Sequence, residues 1–164
     1  MDASRVFSIA NQAAVATTAA LATTWTGLAI GNPVHSGKIC KIIEFGFALS
    51  LAGSKAGAIG LMTGSSLVTA IAASLTPRPA IVNGSATSKM LATAGQTIAT
   101  PVLEKVVGSY GTVATSSWGV VGTGVYRPPE GTLILTPGSF IATYNTLDTT
   151  AAFVFHFVWE EVPQ

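Results

Sequence analysis

The chain has 164 residues, of which 49% are hydrophobic and 9% are charged, and its formal net charge is +1. This composition excludes intrinsic disorder, which requires low hydrophobicity and high charge. It also excludes a basic field that would hold nucleic acid. The length suits one domain with its own core, and the scarcity of charge favours assembly over a freely soluble monomer.

Cysteine content and hydropathy restrict the kinds of compartment and targeting that we expect for the chain. Cys40 is the only cysteine, so an internal disulfide is impossible. Every apolar stretch is interrupted well before the roughly 18 residues of a membrane-spanning helix, so no membrane partner is expected. Arg5 and Ala20-Leu21-Ala22 imitate a signal peptide. However, Asn11 and Gln12 interrupt the apolar core that such a peptide needs, and we expect none.

Residues 1–24 differ from the rest of the chain. They are rich in Ala and Thr and contain no Gly or Pro. We predict an N-terminal arm over residues 1–24 and a β-sandwich domain over residues 25–164. The arm is expected to reach another chain and to bury its larger apolar side chains there, namely Val6, Phe7, Ile9 and Leu21. Two alternatives stay open: a short helix that caps its own domain, or an arm that folds back and completes its own sandwich.

Two long segments alternate between apolar and polar faces, the period of a half-buried strand. In residues 39–51 one face carries Ile39, Ile43, Phe45, Phe47, Leu49 and Leu51. In the last strand one face carries Phe153, Phe155, Phe157 and Trp159, and the other carries Val154, His156, Val158 and Glu160. We predict that the two bulky faces pack against each other and that the aromatic face is the deepest part of the core.

Shorter candidate strands fill the middle of the chain. They span residues 58–62, 67–71, 80–82, 89–94, 102–107, 112–121, 132–135 and 140–144. Asn83-Gly84 predicts a hairpin, and Pro137-Gly138 predicts a turn. About nine or ten short strands separated by turns indicate an all-β, antiparallel sandwich. A jelly-roll-like arrangement would let the first and last long strands meet in one sheet.

No pattern of catalytic or metal-binding residues emerges. The only histidines, His35 and His156, are far apart, which argues against a metal site. There is no G-x-S-x-G element, and Cys40 lies inside a predicted strand. Glu160 and Glu161 are adjacent and should point to opposite faces. We predict no catalytic residue, no cofactor and no metal. The aromatic residues near turns are expected to cover the ends of the sandwich: Tyr110, Trp118 and Tyr126.

Two segments carry a resemblance to a known family. They are Gly131-Thr132-Leu133-Ile134-Leu135-Thr136-Pro137-Gly138-Ser139-Phe140 and the closing strand Phe153–Val162. At the level of architecture, residues 25–162 resemble the small jelly-roll decoration (cement) proteins of tailed bacteriophage capsids. The resemblance implies a non-enzymatic virion protein that binds the outside of a capsid shell and stabilises it.

The resemblance also implies partners and a location. The expected partners are the major capsid protein and further copies of the chain, in a homotrimer. The expected location is the capsid exterior, after assembly in the host cytoplasm. The alternative function is a receptor- or carbohydrate-binding head domain of a phage fibre or another surface module.

Overall fold

The computed structural model describes residues 5–17, 21–22, 24–51, 53, 55–65, 74–98, 100–111, 122–129, 132–146 and 150–164. Within these ranges the chain forms β1 (Val6–Ala10), β2 (Val15–Ala16), β3 (Thr24–Gly31), β4 (Lys38–Leu51), β5 (Gly57–Gly64), β6 (Arg78–Pro79), β7 (Leu91–Thr97), β8 (Val102–Tyr110), β9 (Thr123–Tyr126), β10 (Ile134–Leu135), β11 (Phe140–Asn145) and β12 (Ala152–Pro163). The predicted strands at 67–71 and 112–121, Trp118 and residues 130–131 lie outside the described residues.

The strands form two antiparallel sheets, which confirms the predicted all-β sandwich. Sheet A has the order β10-β4-β12-β1-β6, with β9 also paired to β4 and β2 to β12. Sheet B has the order β7-β3-β11-β5-β8. The two long alternating strands, β4 and β12, pair along their whole length from Leu51–Ala152 to Lys38–Pro163. This order is consistent with a jelly-roll-like arrangement.

The aromatic face of β12 is the centre of the core, as predicted. Phe153, Phe155, Phe157 and Trp159 are all fully buried. The Phe45 ring of β4 lies 4.9 Å from the Phe157 ring and 6.1 Å from the Phe155 ring. The two bulky faces are therefore in contact as predicted, but the contact is lateral, because β4 lies beside β12 in one sheet. The opposing layer is sheet B, which contributes Leu28, Ile30, Ile59, Leu61 and Ile141.

A β-bulge changes which face of β4 is buried. Trp159 pairs with Ile42, whereas the preceding Val158 pairs with Glu44, so Ile43 is an extra residue. A bulge resets the alternation of the strand that carries it. Cys40 therefore points into the core before the bulge, and Phe45 does so after it. The prediction that a single face runs through Ile39, Ile43, Phe45, Phe47, Leu49 and Leu51 is wrong, and Leu51 is 61% exposed.

The predicted N-terminal arm is part of the sandwich. β1 pairs antiparallel with β12, with Phe7 opposite Trp159 and Ile9 opposite Phe157. The Phe7 and Trp159 rings stack with centroids 6.2 Å apart. The pairing satisfies backbone groups on the edge of β12 that would otherwise be left open. The boundary expected at residue 24 is therefore corrected: Val6–Ala10 and Val15–Ala16, within the predicted arm, fold back and complete the chain's own sandwich.

Both turns that residue type predicts are present, but the strands that flank each turn lie in different sheets. Asn83 has φ 62°, and the Gly84 amide donates to the Ile81 carbonyl at 2.8 Å. The expected hairpin is wrong, because β6 before the turn joins sheet A and β7 after it joins sheet B. Gly138 has φ 88° in the Pro137-Gly138 turn, which leads from β10 in sheet A to β11 in sheet B.

The central strands of sheet B, β3, β11 and β5, carry buried apolar side chains on both faces. Its outward side chains Trp25, Met62 and Phe140 are nearly or fully buried and belong to a second hydrophobic cluster. The Trp25 indole nitrogen donates to the Thr143 carbonyl at 2.8 Å, which satisfies its polar group. This burial distinguishes sheet B from sheet A, whose outward face carries several exposed side chains.

Candidate interaction surface

The four residues proposed as an interface do not form one exposed surface. Val6, Phe7 and Ile9 are 7%, 3% and 5% exposed. They lie within the chain's own fold and are not available to another chain, which corrects that prediction. Leu21 is 42% exposed and remains accessible. The physical reason is the pairing of β1 with β12, which turns Phe7 and Ile9 toward the core.

The outward face of sheet A forms a continuous surface, named here the outer face. Residues on β12 that alternate with the buried aromatic side chains point to this face, and His156 is among them, as predicted. Strand register places Ala10, His156, Gly46 and Val125 in one row across four strands. The next row contains Val154, Ala48 and Thr123, and the row beyond it contains Ala16, Ala152 and Leu51.

Apolar side chains dominate one half of the outer face. Val125 is 62% exposed, Leu51 is 61% exposed and Val154 is 37% exposed, and Ala48 lies exposed between them. Isolated exposed apolar residues are ordinary on protein surfaces, whereas contiguous ones mark interaction sites. Because these residues occupy adjacent register positions on three paired strands, they form one patch.

A small residue shapes the centre of the outer face. A Cβ atom at Gly46 would collide with the His156 ring, so the ring lies directly over the glycine. The imidazole therefore lies close against the sheet. Glycine in a strand interior often marks such a close approach.

A charged cluster borders the apolar patch. One carboxylate oxygen of Glu44 accepts a hydrogen bond from Arg127 Nε at 2.7 Å, and the other lies 2.9 Å from His156 Nε2. The hydrogen bonds from His156 and Arg127 hold the pKa of the Glu44 carboxyl below its usual value. The Arg127 side chain is 75% exposed, so this ion pair is solvated and contributes little to stability. Its effect is to fix the positions of three polar groups beside the patch.

Sequence reasoning missed a buried carboxylate at one end of sheet A. Glu160 and Glu161 point to opposite faces as predicted, and Glu161 is only 4% exposed. Its carboxylate accepts hydrogen bonds from the Ser88 hydroxyl, the Lys89 amide and the Trp159 indole. Trp159 is a neighbour of Glu161 on β12, but Ser88 and Lys89 belong to a loop that is distant in sequence, so no local signal identifies them as donors. The arrangement ties residues 88–89 to β12.

The remaining candidate residues from the sequence lie either in the interior of the fold or in an exposed turn. Cys40 is fully buried, and burial raises the pKa of its thiol well above the usual value, with a further contribution from Glu161. Tyr110 is also buried and donates its hydroxyl to Asn145 at 2.9 Å. His35 lies exposed in the turn between β3 and β4.

In the described part of the chain, no group of three or more His, Cys, Asp or Glu side chains could hold a metal ion. Over the same residues, no helix has the length and apolar character needed to span a membrane.

Comparisons of the chain with models of protein families, with curated proteins and with solved structures give no match. The function is therefore inferred from the fold and from the chemistry of the surface.

Proposed function

We propose that the chain is a non-enzymatic virion protein that binds the outside of a capsid shell through the outer face and stabilises the shell. The observation that carries the proposal is the continuous exposed patch around Val125, Val154 and Leu51. The antiparallel sandwich agrees with the fold that the sequence resemblance implies.

The chemistry of the outer face supports protein docking. Interface centres are depleted in charge, whereas interface rims are polar. The apolar half of the outer face has the character of a centre, and the cluster of Glu44, Arg127 and His156 has the character of a rim. Burying the valines against a partner removes apolar surface from water, which favours association. A sheet face held by paired strands is also rigid, so docking orders few side chains.

Trimerisation would strengthen such docking. The whole chain is only 9% charged, which favours burial of part of its surface between subunits. Three linked copies that engage one shell bind with an avidity far above that of a single copy. The proposed assembly is a homotrimer on the capsid exterior, in contact with the major capsid protein.

Co-sedimentation with capsids that lack the chain tests this proposal. Val125→Glu places a charged carboxylate in the patch, and burial of a charge against a partner is costly. We expect capsid binding to weaken at least tenfold, which corresponds to about 1.4 kcal/mol. The matched control is Val106→Glu on β8, because Val106 is 50% exposed and belongs to sheet B.

The control separates a specific effect from a general one. Val106→Glu introduces the same charge on a strand but leaves the outer face intact, so it should bind shells like the unmodified protein. Equal binding of all three proteins would contradict docking through the outer face. Failure of the unmodified protein to bind any shell would contradict the decoration function itself.

A further inference from the structure

A groove runs along the flank of the sandwich, between an edge of each sheet. Sheet B ends there at β8, and β10 with the residues around it forms the opposite wall. The groove has two adjoining compartments of about 400 Å³ and about 320 Å³. Glu104, Thr132 and Leu133 line both compartments, so we treat them as one site, named here the flank groove. Its size lies within the range of small-molecule sites.

The larger compartment combines hydroxyl groups with an apolar floor. Val102, Leu133 and Ile134 supply the accessible apolar surface, and Val102 and Ile134 are 63% and 40% exposed. Polar groups of the same compartment are Thr63, Glu104, Thr132, Thr136 and Ser139. Thr63 Oγ1 donates to Glu104 Oε2 at 3.3 Å. A carboxylate offers about four acceptor positions, so Glu104 can accept further hydrogen bonds from a ligand.

The smaller compartment supplies a donor and an aromatic ring. The Lys105 ammonium lies 4.6 Å from the centre of the Tyr126 ring, a cation–π contact that holds both side chains in the wall. An ammonium group has three N–H donors and no acceptor. The flank groove therefore presents an acceptor, Glu104, next to a donor, Lys105, and the two charges cancel.

The edge of β8 is poorly suited to pairing with an added peptide strand. Its register with β5 shifts twice, between Gly60 and Ile59 and between Met62 and Leu61. The shifts make Val107 and Glu104 extra residues on β8. Bulges and charged side chains on an edge strand disrupt the regular ladder that a further strand requires. The chemistry of the side chains, not of the backbone, therefore decides what the groove binds.

We propose that the flank groove binds a short neutral oligosaccharide. A sugar carries hydroxyl groups that both donate and accept hydrogen bonds, and its ring also presents apolar C–H groups. Glu104 accepts from the sugar hydroxyls and Lys105 donates to them, while Val102, Leu133 and Ile134 contact the C–H groups. Because the charges of Glu104 and Lys105 cancel, we expect a neutral sugar to be favoured over an acidic one. This activity is independent of shell binding through the outer face.

The test uses the intact protein and immobilised neutral and acidic oligosaccharides. We expect retention of at least one neutral oligosaccharide and at least a tenfold loss of that retention in Glu104→Gln and in Lys105→Met. Both side chains are exposed, so neither change should lower the melting temperature much. The matched control is Glu160→Gln, which removes a carboxylate on β12 outside the groove and should leave retention unchanged.

Three results would overturn the proposal. The first is the absence of any retained neutral oligosaccharide at millimolar concentration. The second is retention of acidic oligosaccharides alone. The third is retention of a neutral oligosaccharide that neither Glu104→Gln nor Lys105→Met changes.

Discussion

Phe7→Ala tests whether the N-terminal segment is a structural strand. Phe7 is 3% exposed, stacks on Trp159 and lies opposite it in the register of β1 and β12. Removing a buried phenylalanine side chain typically costs about 3–5 kcal/mol, because apolar contacts are lost and a cavity remains. Whole domains are stable by only about 5–15 kcal/mol, so the loss is a large fraction of the total.

Thermal unfolding followed by circular dichroism measures this effect. For a chain of this size, 1 kcal/mol corresponds to about 2–4 °C, so the melting temperature should fall by roughly 6–20 °C. Leu21→Ala is the control, because Leu21 belongs to the same N-terminal segment but is 42% exposed. It should change the stability by less than about 0.5 kcal/mol. A Phe7→Ala protein that melts like the unmodified chain would refute the placement of β1 in the core.

Three further predictions concern sheet A. Glu161→Ala leaves three donors without their acceptor and should lower the free energy of unfolding by about 1–3 kcal/mol in urea titration, unlike Glu160→Ala. Gly46→Ala should destabilise the protein because its Cβ meets the His156 ring, and His156→Ala should relieve that cost in the double variant. The pKa of Glu44 is lowered in the folded state, so its stabilising effect is present above the unfolded pKa and is lost as the pH falls through the folded pKa. The free energy of unfolding should therefore fall more steeply with decreasing pH for the unmodified chain than for Glu44→Gln. Identical pH dependence of the two proteins would contradict this.

The elements that sequence could predict are those whose pattern is local. The aromatic alternation of β12 is uninterrupted, so its buried face and the outward direction of His156 follow directly from the period of a strand. The alternation of β4 could not be assigned correctly from sequence, because the bulge at Ile43 arises only from its register with β12. The Asn83-Gly84 turn was predicted by residue type, but no local signal shows that the flanking strands enter different sheets.

Less of the candidate surface could be predicted from the sequence. Only Phe7 and Ile9 of β1 reach the main core cluster, a pattern too short to distinguish a strand from an arm. Arg127 and Glu44 are distant in sequence and meet only because β9 pairs with β4. The low charge of the chain favours an interface, but only the strand register shows that Val125, Val154 and Leu51 lie together on sheet A.

The most direct test of the proposed function is a cryo-electron microscopy map of virions whose genome encodes the chain. We expect sandwich-shaped density on the capsid exterior, in groups of three, with the face that carries Val125 and Val154 against the major capsid protein. Mass spectrometry of the same particles should detect the chain. Virions without the chain, or with the chain confined to tail fibres, would contradict the decoration function.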